Sequence, residues 1–269
     1  MALHEHTKSA GMFDTHVNLH GETYTDDLDE VLTRAEESGV ERMLAICNRL
    51  DNFEAVLAIA QAHPAIWCSV GVHPHHSKDF TNLSVEDLVS RAKDPKVVAI
   101  GETGLDFHYG YSAEEAQITS LRTHIEAARQ TGLPLILHTR EDDDMMGDIL
   151  EEEYRKGVFL PLLHCYTGGA RLAQRGLDLG GFVSVSGILS FKSAQEVRDV
   201  IAEVPMERLI LETDCPYLAP VPMRGRRNEP SYLIHVAQAL ANLKDIPLDD
   251  VLRVTTENAL RLFAKIPRP

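Results

Sequence analysis

The segment that decides the fold is a short apolar run ending in acid, Arg208-Leu209-Ile210-Leu211-Glu212-Thr213-Asp214. A proline-rich stretch follows at residues 216–222, and then three arginines in four residues, Arg224-Gly225-Arg226-Arg227. A buried strand that delivers carboxylates into a loop is where a barrel enzyme holds a metal ion, and arginines close by suit a phosphate group. The segment therefore predicts an enzyme built on an α/β barrel.

Comparable apolar runs recur along the rest of the chain. The eight runs cover residues 12–17, 42–46, 66–70, 97–100, 133–137, 158–163, 181–185 and 208–211. Between them lie helical stretches whose apolar residues recur every three or four positions. Short apolar strands that alternate with helices indicate a parallel sheet covered on its outside. Eight of them predict a single-domain TIM-type (β/α)8 barrel. Two of the helical faces are Leu28, Val31, Leu32 and Ala35, and Ile118, Leu121, Ile125 and Ala128.

The barrel is predicted to occupy residues 12–269, after a flexible N-terminal tail of residues 1–11, and to end with a helix over residues 249–263. An open doubly wound sheet is the alternative architecture. It is less favoured because the chain has no Gly-x-Gly-x-x-Gly motif and because eight strands suit a closed barrel.

The composition limits where the protein works and what it binds. No apolar run approaches the ~18 residues that span a bilayer, and the polar N-terminus lacks a signal-peptide core. The four cysteines form no Cys-x-x-Cys, which favours reduced thiols over a disulfide framework or a thiolate zinc site. These features predict a cytoplasmic protein with no membrane partner.

The net charge of −15 argues against a broad basic surface for nucleic acid. It leaves room for a local site in which a metal ion and a few arginines take one or two phosphates.

Polar residues gather where the predicted strands end, and these ends meet at one rim of a barrel. Imidazole and carboxylate together suit Zn²⁺, Mn²⁺ or Fe²⁺, and a site richer in oxygen suits Mg²⁺. A lone histidine at a strand end is usually a packing residue, but five candidates at five strand ends favour a divalent metal site. Glu102 is suited to bridge two ions, and Asp214 to orient a water molecule and take its proton. The predicted ligands are His16, Glu102, His138, His164 and Asp214.

Several neighbouring residues receive lesser roles. His73 is a candidate for substrate contact, whereas His75 and His76 are interpreted as loop residues. Glu212 is expected to point away from Asp214 and to support or cap the site. The rim segment with His108, Tyr109 and Tyr111 is interpreted as a plain loop, with a stacking wall for a base as the alternative.

With these motifs in view, the chain resembles the TatD-type deoxyribonucleases, a branch of the metal-dependent amidohydrolase superfamily. The resemblance covers about residues 12–263. It rests on the segment from Leu211 to Pro230, on Gly71-Val72-His73-Pro74-His75, on Gly101-Glu102-Thr103-Gly104-Leu105-Asp106, on Leu137-His138-Thr139-Arg140 and on His164-Cys165-Tyr166-Thr167-Gly168-Gly169.

The resemblance implies a TIM barrel with one or two divalent ions (Mg²⁺, Mn²⁺ or Zn²⁺) and 3′→5′ exonuclease action on DNA, on single strands or 3′ ends. It makes His16, His138 and His164 metal ligands, Glu102 the bridging carboxylate, and Asp214 a ligand that also serves as catalytic acid or base. It places His73 and the arginine-rich turn, with Arg224 and Arg226, at the substrate phosphate. Arg140 is a further candidate for substrate binding.

The first strand departs from the family pattern. It reads Asp14-Thr15-His16-Val17-Asn18-Leu19-His20, with Asn18 where the family has the second histidine of a pair. An amide oxygen binds borderline metals less strongly than imidazole does. We therefore expect Asn18 to be at best a weak ligand, and the ion beside His16 to bind weakly or to favour Mg²⁺ or Mn²⁺. His20 lies about 13 Å further along a strand and would need a bend to take over.

Two rival functions remain open from the sequence. One keeps the metal and changes the bond, giving an amide, ester or lactone hydrolase. The other is a metal-impaired barrel that binds a partner or nucleic acid without turnover, for which Asn18 is the support. The oligomeric state stays open.

Overall fold

The computed structural model describes residues 11–268, and within them eight parallel strands form one sheet in the order of the chain. The predicted N-terminal tail, residues 1–11, lies outside the described residues except for Gly11. The strands are β1 Met12–Val17, β2 Val40–Ala45, β3 Ile66–Val70, β4 Val97–Asp106, β5 Leu135–Arg140, β6 Pro161–Leu163, β7 Phe182–Val185 and β8 Leu209–Leu211.

The sheet closes through contacts between its first and last strands. Val17 pairs with Cys215 in parallel fashion just beyond β8. The amide of Asn18 donates to the carbonyl of Cys215 at 2.9 Å, and the amide of Asp214 donates to the carbonyl of His16 at 3.0 Å. The predicted TIM-type barrel is therefore confirmed, and the open doubly wound sheet is excluded.

Nine helices are present in residues 11–268. They are α1 Leu28–Glu37, α2 Phe53–Ala62, α3 Val85–Arg91, α4 Glu114–Thr131, α5 Asp143–Lys156, α6 Ala170–Asp178, α7 Gln195–Glu203, α8 Leu233–Lys244 and α9 Leu248–Leu262. The apolar faces predicted for α1 and α4 are the ones that pack, with Val31 and Leu121 fully buried. Across this part of the chain, no helix has both the length and the apolar character needed to cross a membrane.

Two apolar layers separate the inside of the barrel from its outside. Alternate strand residues such as Leu44, Ile136 and Leu162 cluster with Phe263 near the C-terminus, and the opposite faces of the strands pack against the helices. Because side chains of one strand alternate between faces, the residues two positions after Ile136 and Leu162 also point inward. Those residues are His138 and His164.

The predicted bounds of β4, β5 and β6 were wrong in an informative way. β4 continues to Asp106 instead of ending at Ile100, and β5 begins two residues later than predicted and continues to Arg140. β6 begins at Pro161 and not at residue 158. The residues near the carboxyl end of β4 still pair with β5, with Gly104 opposite His138. Because several of these residues are polar, the apolar runs predicted strands that were too short at this end.

Gly104 lets β4 and β5 approach closely at this point. Its φ is +143°, and a Cβ atom there would overlap the carbonyl oxygen of His138. Other residues rarely adopt such a conformation. Glycine at position 104 therefore allows the close backbone approach that places His138 beside β4.

We expect Gly104→Ala to lower the free energy of unfolding by more than about 2 kcal/mol, because the new methyl group meets backbone. Gly132→Ala is the matched control. Gly132 has φ +68° with nothing within 4 Å of a Cβ atom, so we expect a cost of about 1–2 kcal/mol from conformation alone. Urea unfolding of both variants measures the difference, and equal losses would contradict the steric explanation.

Candidate metal centre

A cavity of about 670 Å³ opens at the carboxyl ends of the strands. This is the end at which TIM-barrel enzymes place their active sites, and the volume suits a small-molecule-sized ligand. The structure brings six of the sequence-predicted site residues to its lining: His73, Glu102, His138, Arg140, His164 and Asp214.

The buried carboxylate of Glu102 lies at the centre of four histidines. Its Oε2 is 3.4 Å from Nε2 of His16, while its Oε1 is 2.9 Å from Nε2 of His164. The same Oε1 is 3.2 Å from Nδ1 of His138 and 3.4 Å from Nε2 of His73. The two oxygens of one carboxylate thus face different histidines, which is the arrangement required of a bridging ligand.

His138 is held from behind by Asp106. Nε2 of His138 donates to Oδ2 of Asp106 at 2.9 Å, which leaves Nδ1 facing Glu102. Nε2 of His75 lies 2.8 Å from the same Asp106 oxygen. A carboxylate that fixes the tautomer of a histidine in this way is typical of metal sites.

Glu212 performs the corresponding task for His164. It lies 3.1 Å from Nδ1 of His164 and accepts a hydrogen bond from Oγ of Ser184 at 2.7 Å, so Nε2 of His164 is left facing Glu102. The expectation that Glu212 supports the site agrees with these contacts. Glu212 is fully buried.

Asp214 leaves the end of β8 in a left-handed conformation, with φ +56°. Its Oδ1 lies 3.6 Å from Nε2 of His16. Burial raises the pKa of Asp214 to about 6, and the charges of His16 and His164 limit the rise. The carboxyl group is therefore ionised at neutral pH and remains a stronger base than an exposed aspartate.

Asn18 lies beside Asp214 but presents its amide nitrogen. Nδ2 donates to the carbonyl of Cys215 at 3.2 Å and to Oδ1 of Asp214 at 3.4 Å. An amide nitrogen is a donor and not a metal ligand, so in this structure Asn18 orients Asp214. The tentative assignment of Asn18 as a ligand would require the amide to turn.

The histidines and carboxylates of the site shift each other's pKa in opposite directions. Burial favours the neutral form of Glu102, but the surrounding histidines, His164 foremost, outweigh it, so its pKa lies well below the usual value. Burial likewise opposes charge on His164, yet Glu102 and Glu212 raise its pKa well above the usual value. For His73 burial prevails and lowers the pKa to about 4, so this ring is neutral at pH 7.

These residues fit a divalent metal ion. Ligand atoms of His16, Glu102 and His164 lie within 4.8 Å of one another, and the rings of His16 and His164 stack with centroids 3.9 Å apart. The buried Nδ1 of His16 has no hydrogen-bond partner among the described residues. Imidazole nitrogens gathered around one carboxylate form the donor set that Zn²⁺ and Mn²⁺ accept. In a second group, ring nitrogens of His73, His75 and His138 also lie within 4.8 Å of one another.

Two predicted phosphate ligands lie elsewhere. The guanidinium of Arg224 sits 3.8 Å from the ring centroid of Phe191, beside a separate depression lined by Phe191 and Val221. Arg226 is exposed, and neither arginine belongs to the lining of the central cavity. Within the loop after β8, Tyr217 and Leu218 line the central cavity, whereas Arg224 lies beside Phe191. Their contact with a substrate phosphate stays a prediction for Arg224 and Arg226.

The third arginine of that turn, Arg227, makes a structural contact. It pairs with Asp27, with Nη1 2.8 Å from Oδ1, and the nearby Glu229 pairs with Arg34 at 2.7 Å. His20 is also absent from the cavity lining, and burial lowers its pKa.

Sequence reasoning assigned no role to three residues that the cavity contains. Asp106 closes the Gly-Glu-Thr-Gly-Leu-Asp motif, and its contact with His138 could have been suspected from that position. His75, interpreted as a loop residue, lines the cavity from a 3-10 helix, Pro74–Phe80. Tyr217 lines the opposite side, three residues after Asp214, and no local pattern marks it.

Comparisons with known proteins agree with this geometry. The family model described as TatD related DNase matches residues 13–264. A Bacillus subtilis protein named "Uncharacterized metal-dependent hydrolase YabD" is 37% identical over 94% of this chain and 98% of its own length. A "3'-5' ssDNA/RNA exonuclease TatD" of Erwinia tasmaniensis is 36% identical over 94% of this chain and 99% of its own. The crystal structure of YJJV, a TatD homolog from Escherichia coli, superposes with a TM-score of 0.88 at 28% identity, covering 97% of this chain and 100% of that one.

We expect Asp106→Asn to weaken the binding of Mn²⁺ or Zn²⁺ about 10- to 100-fold, because His138 loses the charged acceptor that fixes its tautomer. Isothermal titration calorimetry of metal-free protein measures the affinity. Asp144→Asn is the control, since Asp144 is exposed and pairs with the exposed Arg171. Equal affinities of the Asp106 variant and the control would show that Asp106 does not orient the ligand.

Proposed function

The chain belongs to the TatD related DNase family and is a metal-dependent hydrolase, and from that membership we propose that it hydrolyses the phosphodiester bonds of DNA. We further propose that it removes nucleotides from the 3′ end of single strands, as the name of its Erwinia tasmaniensis relative describes for that protein. The observation that carries the proposal is the position of Glu102, whose two oxygens face separate histidines.

The ligand set divides naturally around Glu102. His16 and Asp214 stand on the side of Oε2, and His138 and His164 stand on the side of Oε1. These two groups would hold one ion each, with Glu102 shared. When bound, the ions supply Lewis acidity, which polarises a phosphoryl oxygen and lowers the pKa of a nearby water molecule.

The protein's own groups position the substrate and move the proton. Asp214, with a pKa of about 6, is proposed to take the proton of the attacking water and later to return a proton to the leaving oxygen. His73 is neutral and accepts the amide of His75 at Nδ1, so its Nε2 carries the proton and can donate to a phosphoryl oxygen. The exposed guanidinium of Arg140 at the rim would pair with a flanking phosphate.

Cleavage of DNA is tested by nucleotide release from a 5′-labelled single-stranded oligonucleotide in Mg²⁺, Mn²⁺ or Zn²⁺. We expect stepwise shortening from the 3′ end, and we expect Asp214→Asn to reduce the rate by about 100-fold or more because the base is lost. Asp144→Asn, an exposed change of the same kind, should retain the wild-type rate.

Other outcomes of that assay select the rivals. No shortening in any of the three metals, with hydrolysis of ester, amide or lactone substrates, would replace the nuclease with another hydrolase of the superfamily. No turnover of either class would favour the barrel that binds without catalysis.

The two ions are expected to bind unequally, because Asn18 offers its amide nitrogen where imidazole would bind. Titration of metal-free protein with Zn²⁺ should show one tight and one weaker site, and Asn18→His should tighten the weaker one. Two equally tight Zn²⁺ sites in the unaltered protein would contradict this expectation.

A further inference from the structure

We propose that exposed tyrosines on opposite sides of the cavity mouth, Tyr109 with Tyr111 and Tyr217, stack on nucleobases that flank the scissile phosphate. These three side chains, called the rim tyrosines below, would make unpaired bases a requirement of the substrate. The inference rests on the proposed nuclease function and names how that site recognises a single strand.

The rim tyrosines stand on two loops that face each other. Tyr109 and Tyr111 follow β4, and Tyr217 follows β8. In an eight-stranded barrel whose strands are ordered as in the chain, β4 and β8 are diametrically opposite. Tyr109 and Tyr217 line the same cavity as Glu102 and Asp214. A strand crossing the mouth over these carboxylates would therefore pass both loops.

The exposure of these rings is concentrated at this one place. The chain has seven tyrosines, and the three that are exposed are the rim tyrosines, at 47%, 53% and 63%. Tyr24 and Tyr166 are buried in the core. Exposed aromatic residues gathered beside a polar cavity mark a binding surface more often than chance placement does.

The β4 side is already ordered for stacking. The rings of Tyr109 and Tyr111 are parallel within 2°, with centroids 5.3 Å apart. The ring of His75 is nearly perpendicular to both tyrosine rings, at centroid distances of 5.4 and 4.8 Å, and His75 itself contacts Asp106 at 2.8 Å. The guanidinium of Arg140 lies 4.8 Å from the centroid of Tyr109. Little side-chain freedom remains to be lost when a base binds.

On the β8 side the backbone is fixed and the ring is presented to solvent. The amide of Tyr217 donates to the carbonyl of Asp214 at 3.1 Å, and its carbonyl accepts from Nδ2 of Asn228 at 2.5 Å. These two hydrogen bonds fix the backbone of Tyr217 three residues after the proposed catalytic Asp214.

Flat rings with a cation beside them match the chemistry of a nucleotide. Every base has a π face, so stacking tolerates any sequence, and Arg140 can meet the adjoining phosphate. Bases inside a duplex already stack on one another and cannot reach two opposite loops. The geometry therefore selects unpaired ends and needs no hydrogen bonds to base edges.

The test compares Tyr109→Leu/Tyr111→Leu and Tyr217→Leu with the corresponding Tyr→Phe variants. The substrates are a single-stranded oligothymidylate and an oligonucleotide of equal length and charge whose last three residues are abasic. We expect each leucine variant to raise KM for oligothymidylate about tenfold or more, and the phenylalanine variants to stay within about twofold of wild type. On the abasic substrate, leucine and wild type should differ by less than about twofold.

Mn²⁺ affinity, measured by calorimetry, verifies that each variant keeps its metal centre. Leucine variants with wild-type KM, or with equal losses on both substrates, would overturn the stacking role and leave the nuclease proposal intact. A wild-type protein that shortens neither substrate in any metal would instead refute the nuclease function, and the stacking inference with it.

Discussion

The buried carboxylate of Glu102 is the constraint on which the rest of the site depends. A carboxylate removed from water is costly unless opposite charge or hydrogen-bond donors surround it. Histidines from four strand ends or loops meet this requirement, and two of them are fixed by carboxylates of their own, His138 by Asp106 and His164 by Glu212. Each of these two histidines lies between its own carboxylate and Glu102. The metal-binding atoms are therefore oriented by the protein itself.

The acidic character of the chain shapes how it can bind an anionic polymer. With a net charge of −15, long-range attraction to DNA is weak or repulsive, so affinity must come from contacts inside the mouth. Metal ions, the rim cation Arg140 and exposed aromatic rings would supply contacts of that kind. Stacking is insensitive to the net charge of the protein, so it is compatible with the proposed action of an acidic protein on DNA.

The strand ends show how far sequence reasoning reached. His138 and His164 follow apolar inward-facing residues by two positions, so their direction was predictable from strand alternation alone. The supporting role of Asp106 was not predicted from its motif, because its partner His138 is 32 residues away on the next strand. Arg224 was assigned to phosphate on residue type and proximity in sequence, whereas its loop turns it toward Phe191.

The sequence by itself determined the barrel, its strand order and the residue types at each strand end, because burial and periodicity act between neighbours along the chain. Only the tertiary structure decided which oxygen of Glu102 faces which histidine, that Asn18 presents its nitrogen to Asp214, and that Tyr109 and Tyr217 stand across one mouth. Those relations depend on closure of the barrel and on loop conformations. They join atoms far apart in sequence, which no local pattern specifies.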